Sequence, residues 1–293
     1  YCQMRGIRLN RPHILQIYMT FGGVPMYLDQ LKPGLSAVQN IQETCFAPEG
    51  YLRNEFERLY ASLFDNHENH ISIIRVLASK HMGLTRQEII GATKFSNGGM
   101  LSEMLDELEK SGFITVYNGF GKRIKESLYR LTDFYSLFYL TFIEPLGKHS
   151  QIEFTQLSDL PKWKIWSGYT YENVCLTHVN QIRKALGISG IATSLATFIA
   201  PPKDGLPGAQ IDLIIERSDQ SINLCEIKFS TSEYEVSKKD TEAFTSKKRV
   251  FQYHTKTTKH LFLTLITTLG VIENNHKINA VDQVVRLDDL FAS

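Results

Sequence analysis

The sequence predicts an α+β protein: a helical first part, a helical middle part closed by a β-hairpin, and a last part alternating helix and strand around a mixed sheet. Three observations carry that prediction. Apolar residues recur at helical spacing early in the chain and are broken at Gly22-Gly23 and Lys32-Pro33-Gly34. Three helical stretches between residues 67 and 111 precede two short strand-like runs joined by a Gly-rich turn. From Gly168 helix and strand patterns alternate, and the stretch QIDLIIERSDQSINLCEIK, Gln210 to Lys228, sets charged residues inside apolar strands.

A chain of 293 residues has room for about two domains, and its patterns mark three parts: 1–64, 65–147 and 148–293. A net charge of +1 gives the whole chain no pull on a polyanion, so any nucleic-acid reading rests on local patches. Cys2, Cys45, Cys175 and Cys225 show no CxxC spacing. That is the usage of a reducing compartment, and a cytoplasmic location is expected. No apolar run is long enough for a membrane span, and no secretory signal opens the chain. Tyr1 rather than Met stands first, inside what reads as a folded pattern, so a fragment of a longer protein is expected.

In the first part, Asn10-Arg11-Pro12 starts a helix that runs through His13 to Thr20. Tyr51 to Phe64 forms a second, with Leu52, Phe56, Leu59, Tyr60 and Leu63 on one face. No GxxxxGK[ST] loop occurs. The element between, FGGVPMYLDQL (Phe21 to Leu31), resembles the GG-x-P-x-Y-L element in the helical lid of archaeal-type AAA+ ATPases. That resemblance implies a P-loop domain before this chain, a winged helix after the lid and a nuclease-like domain last. ATP would then be bound only through an upstream domain absent from this chain.

In the middle part, Ile71 to Ser79 is a short amphipathic helix. Thr85 is the N-cap of the next, with Glu88 at the capping-box position. A third runs from Met100 to Ser111 on a stripe of Leu101, Met104, Leu105 and Leu108. Gly112 closes it, and strands at 113–117 and 127–131 flank a Gly119–Arg123 turn. Three helices and a hairpin in this order match a winged helix, a helix-turn-helix variant. Lys122, Arg123 and Lys125 in the wing are candidate phosphate contacts. The third helix, with Glu103, Asp106, Glu107 and Glu109, would repel DNA. DNA binding and docking to a partner protein therefore stand as equal readings of this part. Leu137 to Ile143 reads as a core helix. His67 and His70 have metal-like spacing but no third ligand, and read as surface residues at a polar helix start.

The last part opens with a linker to about residue 165, where Trp163 and Trp166 read as packing residues. Tyr169 to Leu186 is one helix with Tyr171, Cys175, His178, Ile182 and Leu186 buried, and Glu172 beside that face. A strand at 191–200, the hairpin 209–229, a helix from Ser237 to about Thr255, and strands at 260–268 and 281–287 follow. Two carboxylates and a lysine on such strands are costly to bury without partners. Glu226 and Lys228, two apart on a strand, share a face, and the hairpin brings Asp212 within reach.

The element order, with Asp on the second strand and Glu-x-Lys on the third, resembles the PD-(D/E)XK nuclease superfamily, the restriction-endonuclease-like fold. The resemblance implies Asp212, Glu226 and Lys228 as the motif and Glu172 as the helical acidic position. Ile211 precedes Asp212 where the family pattern has Pro. Hard oxygen donors suit Mg²⁺ or Mn²⁺, with Asp212, Glu226, the main-chain carbonyl of Ile227 and Glu172 as expected ligands. Lys228 would orient water or offset charge on the phosphate. Downstream, Lys238, Lys239, Lys247, Lys248 and Arg249 are a candidate nucleic-acid face, with a solvated helix surface as the alternative. Gln252 and Tyr253 on the same helix could reach the site. The expected function is a metal-dependent DNA endonuclease joined to a winged helix. The alternative is a non-catalytic DNA- or protein-binding regulatory module of the same fold.

Overall fold

The computed structural model describes residues 1–2, 4–122, 126–147, 153–158 and 160–292. It divides into two compact units: Tyr1–Val116 with Leu128–Thr170, and Tyr117–Ser127 with Tyr171–Ser293. The whole is α+β, with a small antiparallel sheet and a five-stranded mixed sheet.

In the first unit, α1 (Arg11–Phe21) starts where expected: the Asn10 side chain accepts from His13 N–H, and Pro12 sits in the first turn. It ends at Gly22, whose φ of +66° is open to glycine at little cost. A short α2 (Pro25–Leu28) and α3 (Ala37–Ile41) follow, and Tyr27 is buried against the Tyr135 ring at 5.2 Å. The helix expected from Tyr51 is a 3-10 turn, Tyr51–Arg53, and then α4 (Glu55–Leu63). Leu52, Phe56 and Tyr60 are buried as expected, but Leu63 is exposed and Glu55 is buried.

Next come α5 (His67–Ala78), β1 (Leu84–Thr85), α6 (Arg86–Thr93), α7 (Gly99–Lys110), β2 (Ile114–Tyr117), β3 (Leu128–Leu131) and α8 (Phe134–Phe138). The Thr85–Glu88 capping box is formed in both directions. The α7 stripe Leu101, Met104, Leu105 and Leu108 is buried. Strand order is β1-β3-β2. The stretch after α8 continues as a π-helical turn, Tyr139–Ile143.

The expected linker contains helix. After α9 (Phe154–Ser158), α10 runs from Pro161 to Thr177 through both tryptophans. Trp166 is fully buried, 5.5 Å from the rings of Phe138 and Phe142, and Trp163 is 4.7 Å from Trp166. Aromatic packing of this kind makes an ordered element of a stretch with no polar–apolar alternation. From Tyr171 onward α10 belongs to the second unit. The single helix expected over 169–186 is two, α10 and α11 (Val179–Ala185), parted at His178, whose ring Nδ1 lies 2.8 Å from the Val174 carbonyl.

The second unit is built on β4 (Thr193–Ala200), β5 (Ala209–Arg217), β6 (Ser221–Lys228), β7 (His260–Thr267) and β8 (Gln283–Arg286), in that order across the sheet. β4, β5 and β6 are antiparallel neighbours; β6, β7 and β8 run parallel. The long α12 (Lys238–Thr255) supplies the β6–β7 crossover, capped by Ser237. α13 (Asn275–Ala280) and α14 (Leu287–Leu290) close the chain. One face of the sheet packs Ile214, Ile222, Leu224 and Leu263 with Phe244, Val250 and Phe251 of α12. No described helix is long and apolar enough to cross a membrane.

Candidate functional site

β6 is the central strand, and its residues from Ile222 to Ile227 are all buried, Glu226 among them at 5% exposure. A carboxylate in that position needs partners for both oxygens. It has them. Lys228 Nζ donates to Oε1 at 2.8 Å, and Lys247 Nζ donates to Oε2 at 2.6 Å. Lys228 reaches it because side chains two apart on a strand share a face. Lys247 reaches it from α12.

Main-chain pairing of β5 with β6 runs from Glu216↔Ile222 to Leu213↔Cys225. Just beyond it, the Asp212 carboxylate accepts the Ile227 N–H at 3.0 Å, and its other oxygen accepts from Gln210 Nε2 at 3.3 Å. Asp212 is therefore locked to the strand that carries Glu226. Its carboxyl is pushed up to about 7, by burial first, then by the charges of Glu172 and Glu226; the Ile227 N–H and Lys247 oppose the rise. Glu172 is held on α10, where the neighbouring Tyr171 donates to the Thr267 carbonyl of β7 at 3.0 Å. Burial pulls the Lys228 ammonium down, but the charge of Glu226, its hydrogen bond and the charge of Asp212 outweigh burial, and the net direction is up.

The structure thus brings Asp212, Glu226 and Lys228 together, with the charge of Glu172 bearing on Asp212. It adds two residues not expected there. Tyr234, in the loop after β6, is pushed up to about 12 by burial, then by the Asp240 charge and hydrogen bond, while the charges of Lys228 and Glu226 also reach it. Lys247, expected on a nucleic-acid face, also closes the site. Phe244, Lys247 and Phe251 are three and four residues apart, one stripe of the helix, and that spacing carried the signal.

At 100° per residue, Lys238, Lys239, Lys248 and Arg249 lie on the half of α12 centred roughly opposite Lys247; Lys238, Lys239 and Arg249 are exposed and Lys248 is partly buried. Lys256 lies over the Tyr253 ring, and Lys259 pairs with Glu216 at 2.8 Å. Tyr253 donates to Asp204 rather than to the site, and Gln252 is exposed. Lys122 pairs with Glu126 at 3.4 Å, while Arg123 and Lys125 lie outside the described residues. The loop that carries Lys122 is pinned to edge strand β4: Phe120 N–H donates to the Thr197 carbonyl at 2.8 Å, and Thr197 N–H to Asn118 at 3.1 Å.

His70 corrects another expectation. It is buried, stacked on Phe64 at 4.1 Å, with Nε2 on Glu107 at 2.7 Å. It shares the core stripe of Ile74 and Leu77, which the polar start of α5 conceals. Cys45, Cys175 and Cys225 are buried free thiols.

Among the described residues no three His, Cys, Asp or Glu side chains stand together as a ready metal-ligand set. The donors suit Mg²⁺ or Mn²⁺ chemically, since all are hard oxygens. Glu226 joins such a set only by exchanging an ammonium. No known protein family matches the chain, and no curated protein resembles it at a significant level.

Proposed function

We propose that the second unit is a restriction-endonuclease-like domain that hydrolyses phosphodiesters of DNA. The first unit, on this reading, is the lid-like segment and winged helix of an AAA+-type ATPase, and any ATP chemistry lies in an upstream P-loop domain. One observation carries the proposal: Asp212, Glu226 and Lys228 meet on one hairpin of a mixed sheet, with the charge of Glu172 reaching them from a helix. Buried charge of that density is expensive and is characteristic of working sites.

A bound Mg²⁺ or Mn²⁺ would supply a polarised phosphoryl oxygen and an activated water. Asp212, Glu226, the Ile227 carbonyl and Glu172 would hold it. Asp212 is oriented by the Ile227 N–H. Lys228 stays on the strand beside Glu226 and presents an ammonium to the phosphate or to the attacking water.

The test is incubation of the purified chain with plasmid DNA and Mn²⁺ beside an Asp212→Ala control. Nicking by the wild type alone is expected; equal nicking by both, or none by either, overturns the proposal. A second reading, a non-catalytic DNA- or protein-binding module, is favoured by Glu226 having both oxygens on lysines. The exposed acidic face of α7, Glu103, Asp106, Glu107 and Glu109, fits protein docking through the winged helix better than DNA. On that reading calorimetry shows no Mn²⁺ heat dependent on Asp212.

A further inference from the structure

We propose that Lys247 is a built-in placeholder for the cation: its ammonium holds Glu226 Oε2 until a DNA phosphate draws it away, so that metal and phosphodiester enter the site together. This rests on the phosphodiester-hydrolase reading above and adds a control element to it.

The two lysines on Glu226 are not equivalent. Lys228 belongs to the same strand and is fixed at two residues' distance, 2.8 Å from Oε1. Lys247 comes from a different element, and its stem spans the space between α12 and the sheet to reach Oε2 at 2.6 Å. The helix itself is anchored: Phe244 and Phe251, on either side of Lys247 along the stripe, are buried in the sheet core. Rotation of the side chain can free Glu226 while the backbone stays in place. Both lysine side chains reach solvent more than Glu226 does, Lys228 at 33% and Lys247 at 24% against 6%, so what sets Lys247 apart is its separate element, not its exposure.

The electrostatics give this arrangement a direction. A divalent cation approaching Oε2 meets an ammonium already bound there, and like charges at that distance repel. A buried Oε2 without a donor is costly, which holds Lys247 in place until another cation can replace it. A phosphate diester offers Lys247 an alternative anion. Once it moves, Oε2 is open, and the negative charge of Glu226 and Asp212, with Glu172 bearing on Asp212, is opposed by Lys228. Metal affinity then rises because phosphate is bound, and by reciprocity phosphate affinity rises because metal is bound. Lys247 is on this account a positioning residue.

The test is Mn²⁺ titration calorimetry on the full chain, with and without a short phosphorothioate-linked DNA duplex, for the wild type, Lys247→Met, Lys247→Gln and Asp212→Asn. DNA should tighten Mn²⁺ binding to the wild type about tenfold, within the usual range of coupling between sites. Both Lys247 variants should bind Mn²⁺ about tenfold tighter without DNA, and DNA should then add little. A merely structural lysine would not produce loss of coupling together with tighter metal binding. Lys247→Gln keeps a hydrogen-bond donor for Glu226 and carries the test where Lys247→Met does not fold. Wild-type Mn²⁺ affinity in both Lys247 variants, with binding abolished in Asp212→Asn, would overturn the placeholder and leave the hydrolase reading standing. No Mn²⁺ binding by any form overturns both.

Discussion

Asp212→Asn should stabilise the metal-free protein above neutral pH, by an advantage that shrinks in mild acid and vanishes below the unfolded value of 3.8. The Asp212 carboxyl is raised from 3.8 to about 7 by burial and by the charges of Glu172 and Glu226. Between those values the folded chain binds more protons than the unfolded chain, so stability falls as pH rises, and above the folded value the penalty is complete. At about 1.4 kcal/mol per pH unit, the ceiling is about 4 kcal/mol. Asp212 is partly exposed, so solvent screening reduces the expected gain to about 2 kcal/mol. Asparagine preserves the local bonding: its oxygen can accept the Ile227 N–H, and a flip of the Gln210 amide turns an acceptor toward the new NH₂. The assay is urea unfolding in EDTA at about pH 8 and about pH 5. An equal gain at both pH values, or a loss at the higher one, would refute the electrostatic origin of the shift.

Three predictions concern the first unit, each read by urea titration. Thr85→Ala removes the acceptor for Glu88 N–H and the reciprocal hydroxyl bond, and should cost about 1 kcal/mol. Gly83→Ala should cost roughly 2–4 kcal/mol, because φ is +90° and a Cβ would stand 2.7 Å from the Tyr129 carbonyl oxygen, where β1 pairs with β3. His70→Ala should cost roughly 2–3 kcal/mol by emptying the stack on Phe64 and removing the Glu107 contact.

The hairpin was legible because two independent signals coincide there: strand alternation, and charge where the pattern demands apolar residues. The capping box at Thr85 and the α7 stripe were legible because each is a short-range device, complete within a few residues. What the sequence hid was mostly decided at longer range. The π-helical turn Tyr139–Ile143 inserts extra residues per turn and breaks the 3.6-residue period on which a helix reading depends. The first turns of α10 are ordered by rings of other elements, Phe138 of α8, Phe142 of the π-helical turn and Phe154 of α9, so no stripe within α10 announces them. Lys247 and His70 were hidden differently. Each sits on a stripe that spacing does reveal, and in each case the polar neighbours made the segment look like surface.

The charged groups of the site differ in what holds them, and this leads to a last prediction. Glu226 and Lys228 share the central strand, and Asp212 is tied to it through the Ile227 N–H. Lys247 depends on where α12 lies. Phe251, four residues on, fixes that helix: it is fully buried, with ring centres 5.0 Å from both Phe120 and Phe198. Phe251→Ala should therefore do two things. It should cost roughly 3–5 kcal/mol of stability, the usual effect of emptying a buried aromatic position. It should also weaken the grip of Lys247 on Glu226, so Mn²⁺ binds more tightly than to the wild type but less tightly than to Lys247→Met. Combining the two substitutions should leave Mn²⁺ affinity at the Lys247→Met value, because both act on the same ammonium. Additive gains in the double variant would show that Phe251 reaches the metal ligands by another route.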